Sequence, residues 1–456
     1  MKTAWTIYYG NSKFLIKLII IAFIFVSIQN AIALPPNVKQ LVDYETKANA
    51  VAERKNTYIM MPHYEIPLEW MDVLITNKMP KDVYDSLVFE KNGQKYVRWV
   101  INPEDTKWHK DVLLWLISKY ENKRVTTVSR LVDKLQLIIG KSNSVFQKKY
   151  YFKGYQTASR SYIIEDPESK VQFSLKGSTD VTGGHWTDKK QKFTDAQDII
   201  KVSQYLNKVE SAIGFDNFFL LDEPLAFGIK DIDQAIVVRM LNQLPTNNKL
   251  IYLPGFSALH DYTGKLIALK NGSNNPEKFW KENYIEVMGK VLAELAVKTG
   301  LAFDSPHSQN FLIELDYNYK PTGRIGLRDF GDVFLNKNFL LNFNQIDLIE
   351  TFSEQSNIKN NQSAKFGPLH GNSFPKWITE SIYKEWGFVF FEAYENTMSK
   401  YSNINIDLIH KPFFQNGKYY NSNGYDQTSP EWQNYFANLK LSFRHNNGSY
   451  CTRLFK

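Results

Sequence analysis

The sequence predicts an α+β fold with a helical N-terminal region, an antiparallel sheet in the middle and a mainly helical C-terminal lobe. Apolar residues recur at three-to-four spacing over 108–120 and 128–139, which is the period of a helix. Aromatic and β-branched residues then fill 150–181 with the partial alternation of strands. A long helical pattern follows at 276–298, so helices return after the sheet.

The chain of 456 residues is long enough for two or three domains. From the changes of pattern we expect a helical N-terminal region at 34–149, a β-rich lobe at 150–260 and a helical lobe at 261–456. The net charge is +8, but the basic residues are scattered along the chain. No nucleic-acid partner is therefore indicated.

The N-terminus has the order of a secretory signal peptide at 1–33. Lysines precede an apolar run at 18–28, and small residues then end in a cleavage site after Ala33. We expect a periplasmic or secreted protein that begins at Leu34, with no stable membrane span after cleavage. The apolar run is short for a span, and an uncleaved anchor is the alternative. The single cysteine, Cys451, cannot form a disulfide within the chain.

The middle of the chain reads as strands interrupted by one helix. Residues 150–164 and 170–181 have strand composition, and Glu165-Asp166-Pro167-Glu168 between them is typical of a turn. The same criteria predict a helix at 196–213 and strands at 218–221, 232–241 and 249–254.

The helix with the clearest end signals spans 276–298. Asn275 can cap it, Pro276 stands at the first helical position, and Gly300 can end it. This helix leads directly into the segment 304–332, so we expect it to support that segment rigidly. Two later helices are predicted at 376–400 and 430–439.

The segment 304–332 predicts a hairpin with polar groups at its open end. Apolar runs at 311–315 and 324–327 flank a turn that contains Pro and Gly. Folding back along this hairpin brings the residues before the first strand beside those after the second. Those residues are His307, Gln309, Asn310, Arg328 and Asp329.

These residue types suit a charged ligand. Amide and carboxylate oxygens, as in Asn310 and Asp329, are ligands for a hard cation such as Mg²⁺. Arginine is suited to a phosphate or a carboxylate because its N–H groups form a planar fork. The structural alternative is a surface hairpin with ordinary solvated ends.

The segment resembles the ATP-dependent siderophore synthetases that work without a peptide-synthetase assembly line. Their pattern is roughly E-A-H-x-Q-N, a hairpin and R-D, and His307, Gln309, Asn310, Arg328 and Asp329 match it in order. The resemblance implies a fold similar to those synthetases and a site for ATP. It also implies that Asn310 and Asp329 share Mg²⁺, that Arg328 meets phosphate oxygens and that His307 donates to a phosphate.

Two earlier segments resemble the same family and imply that the antiparallel sheet is a nucleotide-binding lobe. Residues 177–185 end a strand with Gly, Ser and Thr, as in the family's nucleotide loop, which places Ser178 and Thr179 at the phosphates. The strand that ends at Arg239 resembles the one whose arginine contacts them. We therefore expect all three side chains to line the pocket that contains Asp329. A flexible Gly-rich hairpin and an arginine at a strand end are the structural alternatives.

A second resemblance is to the catalytic loop and D-F-G turn of kinase-like enzymes. Asn310 and Asp329 match their metal-binding residues, and Lys176 matches the strand lysine of their small lobe. Ser305 occupies the place of the catalytic Asp in this pattern and of the Glu in the synthetase pattern. The chain lacks the motifs of zinc and serine hydrolases, the Walker loop and the dinucleotide fingerprint.

The synthetase resemblance implies an ATP-dependent ligase that forms an amide or ester through an acyl adenylate, acting on a small carboxylate or amine, and the signal peptide predicts that this protein is exported. A kinase-like phosphotransferase and a non-catalytic ligand-binding relative are the alternatives. The signal peptide conflicts with ATP use, because ATP is scarce outside the cytoplasm. Action inside another cell, a non-catalytic role or a mis-assigned N-terminus would each resolve the conflict, and Ser305 favours the non-catalytic role.

Overall fold

The computed structural model describes residues 36–49, 58–122, 150–157, 160–181, 188–241, 249–303, 308–335, 340, 346–354, 356–360 and 379–400. The predicted signal peptide at 1–33, the helices predicted at 128–139 and 430–439, Ser305 and His307 lie outside these residues. Within the described ranges, none of the helices combines the length and apolar character needed to cross a membrane.

The described residues form a mixed α and β structure with antiparallel sheets, which confirms the α+β class. The helices are α1 (Pro36–Thr46), α2 (Lys81–Leu87), α3 (Lys107–Asn122), α4 (Phe193–Ile213), α5 (Gly255–Ala258), α6 (Thr263–Lys270), α7 (Pro276–Trp280), α8 (Glu286–Thr299), α9 (Ile346–Glu350), α10 (Asn357–Asn360) and α11 (Glu380–Met398). The strands are β1 (Ile59–Met61), β2 (His63–Pro67), β3 (Asp72–Ile75), β4 (Val88–Lys91), β5 (Gln94–Val100), β6 (Phe152–Gln156), β7 (Ser161–Glu165), β8 (Gln172–Lys176), β9 (Phe218–Leu220), β10 (Leu225–Ile229), β11 (Gln234–Arg239), β12 (Leu250–Pro254), β13 (Leu301–Phe303), β14 (Phe311–Asp316), β15 (Pro321–Leu327) and β16 (Val333–Leu335).

Two sheets carry the candidate site. The larger has seven strands in the order β1-β6-β7-β8-β11-β10-β3, and all of its neighbours are antiparallel. The smaller has four strands in the order β12-β14-β15-β9, with β15 and β9 parallel. The larger sheet joins strands from both sides of the expected boundary at 149, since β1 pairs with β6 and β3 with β10.

The expectation of mostly helical structure over 34–149 is wrong for most of residues 59–100, which contain β1 to β5 and the short helix α2. The hairpin of β4 and β5 turns at Asn92 and Gly93, both with positive φ. Asn-Gly is the preferred pair for such a turn because both residues adopt this conformation at low cost. The alternating pattern of β5 and this Asn-Gly turn were the sequence signals for strands. The helix α3, by contrast, forms where the helical period of the sequence predicted it.

Four hydrophobic clusters hold the layers together. The helix α8 packs on the four-stranded sheet and α11 packs on α8, with Trp280 and Trp386 fully buried. The short sheet β2-β5-β4 and α3 cover one face of the seven-stranded sheet. The helix α4 covers its other face. The helix α1 lies on β12, where Leu41 and Val42 join a buried cluster with Tyr252.

The predicted helix at 276–298 forms with its predicted ends. Asn275 Oδ1 accepts a hydrogen bond from Lys278 N at 2.9 Å, and Gly300 adopts the left-handed conformation that ends α8. A π-helical turn at Lys281–Ile285 joins α7 to α8 within this span. The end signals were local, so they could be read correctly from the sequence alone.

His63 gives the fold a pH-dependent component of stability. Its ring is buried edge-on against Tyr150 and Phe152, at centroid distances of 5.8 and 6.0 Å. Burial and the charge of Arg98 lower the pKa of His63 to about 3. The folded protein therefore excludes a proton that the unfolded chain binds below pH 6.5.

We expect the stability contributed by neutral His63 to be present above pH 6.5 and to decline as the pH falls toward 3. Between about pH 7 and pH 5 this group should remove about 2 kcal/mol from the free energy of unfolding. Urea unfolding of the wild-type protein and of His63→Phe at both pH values checks this. Equal pH dependence in the two proteins would contradict it.

Candidate functional site

The predicted hairpin forms and brings its polar ends together. Phe311 pairs with Leu327, and Arg328 N donates to the carbonyl of Asn310 at 3.1 Å, which closes the open end. Gln309, Asn310, Arg328 and Asp329 line one pocket. The expected juxtaposition is confirmed for these residues.

Asp329 lies at the centre of the charges in this pocket. Its backbone is left-handed, with φ 70°, a conformation that costs a non-glycine residue about 1 kcal/mol or more. Its Oδ1 pairs with Nζ of Lys176 and lies 3.8 Å from Nη2 of Arg239. Burial raises the pKa of Asp329, but the charges of Lys176 and Arg239 outweigh burial and lower it overall. This carboxylate is therefore ionised at neutral pH.

A second carboxylate, Asp332, shares the same pocket. Nδ2 of Asn310 donates to Oδ2 of Asp332 at 2.8 Å. Burial, followed by the charge of Asp329, raises the pKa of Asp332 to about 6. Asp329, Asp332 and the amide of Asn310 thus converge on one wall. Because the two carboxylates repel each other, full ionisation of both is unfavourable without an added cation.

Each of the two arginines of the pocket, Arg239 and Arg328, forms an ion pair with a buried glutamate. Nε and Nη2 of Arg239 contact Oε1 of Glu223 at 3.0 and 2.7 Å. Nη2 of Arg328 lies 2.5 Å from Oε1 of Glu45, and its Nε donates to the carbonyl of Gln309 at 2.7 Å. A guanidinium has five N–H donors, so one glutamate does not exhaust either of them. Both can still direct positive charge into the pocket.

The opposite wall contains two cations that no sequence motif indicated. Arg160 and Lys189 line the pocket beside Lys176. Burial and the charge of Arg160 lower the pKa of Lys189, which shows that the cations crowd one another. Neither residue lies in a recognisable motif. Only the pairing of Lys189 with Thr179 across the main chain, at 2.9 and 2.8 Å, brings it to this edge.

Ser178 and Thr179 do not line this pocket, so their expected placement beside Asp329 is wrong. Oγ of Ser178 accepts from Gln191 N at 2.9 Å, and the fully buried Thr179 donates its hydroxyl to Asp105 at 2.8 Å. The strand β8 ends at Lys176, whose Nζ pairs with Asp329, so the alternation of this strand does not extend to Ser178 and Thr179. Arg239 does line the pocket, as expected.

The donor set fits a magnesium ion only if a ligand completes it. In the described ranges, no group of three or more His, Cys, Asp and Glu side chains is arranged to hold a metal. Asp329, Asp332 and Asn310 are among the lining residues whose side chains carry oxygen donors. Mg²⁺ is commonly bound by one or two carboxylates together with substrate phosphates and waters, which these residues allow.

No family model matches the sequence, and no curated protein matches it. The structure is similar to three solved structures from siderophore biosynthesis. They are ATP-bound aerobactin synthetase IucA from a hypervirulent pathotype of Klebsiella pneumoniae (10% identity, 79% of this chain, 66% of that one, TM-score 0.47), aerobactin synthetase IucC from the same pathotype (12%, 78%, 63%, 0.46) and petrobactin biosynthesis protein AsbB from Bacillus anthracis str. Sterne (13%, 87%, 66%, 0.40). The chain thus spans about two thirds or less of the length of each.

Proposed function

We propose that this protein binds ATP with Mg²⁺ and uses it to activate a small carboxylate, as an ATP-dependent ligase. The observation that carries the proposal is the composition of one pocket. Five cationic side chains, two carboxylates and two amides converge there. A triphosphate with a divalent cation needs this combination, because cations must meet its oxygens on several sides while carboxylates hold the metal.

The cationic side chains of the pocket differ in whether an ion pair with a glutamate already fixes their position. Arg239 and Arg328 are fixed by Glu223 and Glu45 and provide positive charge of fixed position. Lys189 has its pKa lowered first by burial and next by the charge of Arg160, so an anion beside it would relieve that repulsion. We therefore assign Lys189 and Arg160 to phosphate binding.

Lys176 is assigned a different role. In the structure it pairs with Asp329, which would have to share its carboxylate with the metal. Lys176 would then turn toward a phosphate oxygen within the same pocket. A bound Mg²⁺ would neutralise phosphate charge and orient the phosphates.

The proposed reaction has two steps. A carboxylate oxygen forms a bond to the α-phosphorus of ATP while the bond to pyrophosphate breaks. An amine or hydroxyl then attacks the acyl carbon, AMP leaves with the former carboxylate oxygen, and the nucleophile loses a proton. The cations of the pocket stabilise the charge that develops on the phosphates, which is where most of the rate would come from.

ATP with Mg²⁺ is expected to raise the melting temperature of the chain. A ligand that binds only the folded state stabilises it by about 2.7 kcal/mol at 100 times its Kd. Asp329→Asn should remove the magnesium-dependent part, because it removes the charge while asparagine tolerates the left-handed backbone. Thermal unfolding with ATP, in Mg²⁺ or in EDTA, measures both effects.

The matched control is Asp85→Asn, which makes the same chemical change at a half-exposed side chain on α2. It should respond to ATP and Mg²⁺ as the wild-type protein does. An absence of any shift at millimolar ATP would exclude nucleotide binding and favour a relative that binds another ligand.

The pairing of Lys176 with Asp329 is the one observation that favours the kinase-like alternative. A strand lysine and the D-F-G aspartate serve one nucleotide in those enzymes. The products separate the two functions: AMP and pyrophosphate support the ligase, whereas ADP supports phosphoryl transfer. Incubation with ATP and mixed carboxylates and amines, followed by nucleotide chromatography, gives this answer.

A further inference from the structure

A second pocket lies on the opposite face of the seven-stranded sheet from the proposed nucleotide site. On β7, Tyr162 lines the second pocket whereas Ser161 lines the nucleotide pocket. Leu175 and Gly177 face the second pocket, whereas Lys176 between them faces the nucleotide pocket. Because strand side chains alternate, the sheet separates the two pockets.

A buried carboxylate forms the polar end of this second pocket. The side chain of Asp105 is 2% exposed, and its Oδ1 accepts from Thr179 Oγ1 at 2.8 Å and from Asp180 N at 2.7 Å. Its Oδ2 faces Nε2 of His109 at 3.6 Å, which is too long for a hydrogen bond. Burial raises the pKa of Asp105, and the side chain of Asp180 raises it further. The contacts with His109, Thr179 and the backbone of Asp180 reverse only part of that effect.

The neighbouring polar groups leave this end of the pocket without a cation. Nε2 of His109 is buried and has no hydrogen-bond partner. Lys107 is paired with Asp188, and Nζ of Lys190 donates to the carbonyl of Ile232 at 2.9 Å. Across the described ranges, Asp105 is paired with no lysine or arginine. A buried carboxylate without a cation is unfavourable, so a cationic ligand here would stabilise the structure.

The remaining walls are aromatic. Trp99, Trp108 and Tyr162 line the pocket, and Asn102 Nδ2 holds the hydroxyl of Tyr162 at 2.8 Å. Aromatic faces attract alkylammonium groups through their quadrupole, most strongly when water is excluded. Aromatic walls around one uncompensated carboxylate are therefore suited to an ammonium group on an apolar stem.

We propose that this pocket binds the ammonium end of a primary alkylamine. The ammonium donates to Oδ2 of Asp105 and to Nε2 of His109, and its alkyl stem lies against the aromatic walls. Asp105 and His109 both line the pocket, and in the described ranges neither of these two acceptor atoms has a hydrogen-bonded lysine or arginine. The site is independent of the nucleotide pocket because the sheet lies between them.

The site can be tested by isothermal titration calorimetry of the full chain with n-butylamine. The uncharged analogue n-butanol serves as the control ligand. We expect the amine to bind at least tenfold more tightly than the alcohol. Asp105→Asn should weaken amine binding at least tenfold, because it removes the charge and keeps an acceptor for Thr179. Asp85→Asn should leave amine binding unchanged.

Equal affinity for the amine and the alcohol would overturn the proposal, as would an absence of saturable amine binding. Unchanged amine affinity in Asp105→Asn would place the amine elsewhere and would also overturn it. The comparison of amine with alcohol uses the wild-type chain, so it decides the question even if the variant does not fold. Neither measurement uses ATP, so the result is independent of the proposed nucleotide function.

Discussion

Replacing Arg239 by methionine is expected to lower the free energy of unfolding by about 3–5 kcal/mol. The side chains of Arg239 and Glu223 are 4% and 0% exposed, so the variant leaves a carboxylate in the interior without its cation. Burial lowers the pKa of Arg239, but Glu223 and Asp329 outweigh it and raise that pKa overall. The arginine is therefore charged in the folded state, and urea unfolding measures the cost of its loss.

A double-variant cycle with Glu223→Gln separates the ion pair from loss of packing. The amide of glutamine can still accept from Phe330 N, which Glu223 contacts through Oε2 at 2.9 Å. We expect the double variant to be more stable than Arg239→Met alone, because no uncompensated charge then remains at Glu223. Lys81→Met provides the surface control, since that lysine is 87% exposed and its ion pair contributes little. A loss in Arg239→Met no larger than this control would refute the role of the buried pair.

The hairpin and its ends could be predicted because their signals are local. The apolar runs at 311–315 and 324–327, with Pro and Gly between them, specify two strands and a turn. The structure extends the second strand back to Pro321, where proline begins a strand without loss of an internal hydrogen bond. Asn310 and Asp329 then meet because the hairpin returns the chain to its starting point.

The other wall of the pocket could not be predicted because it depends on pairing between distant segments. Lys189 comes to this edge through a bridge to Thr179, and Glu223 through the connection between β9 and β10. Neither contact leaves a pattern in the sequence around it. The resemblance of the Ser-Thr loop suggested Ser178, but the strand β8 ends before this residue, and Ser178 lines the pocket on the other side of the sheet. Lys176 lines the nucleotide pocket instead.

The role of α1 in supporting Arg328 could likewise not be predicted from the sequence, because it depends on one long-range ion pair. Glu45 lies on an ordinary amphipathic helix, and its carboxylate is fully buried against Arg328. The apolar residues of α1 pack on β12, and the hydroxyl of Ser257 donates to the carbonyl of Tyr44 at 3.1 Å. These contacts make α1 the support behind the guanidinium of Arg328, on the side away from the pocket.

Glu45→Ala is therefore expected to destabilise the protein by about 3–5 kcal/mol, because Arg328 would remain buried without its counter-ion. Burial lowers the pKa of Arg328, and the charge of Glu45 opposes that effect. The matched control is Asp43→Ala on the same helix, whose pair with Lys47 is partly exposed and should contribute less than about 1 kcal/mol. Urea unfolding of the two variants compares a buried with a partly exposed ion pair on one helix. Equal losses would show that α1 contributes by packing alone and that Glu45 does not hold Arg328 in place.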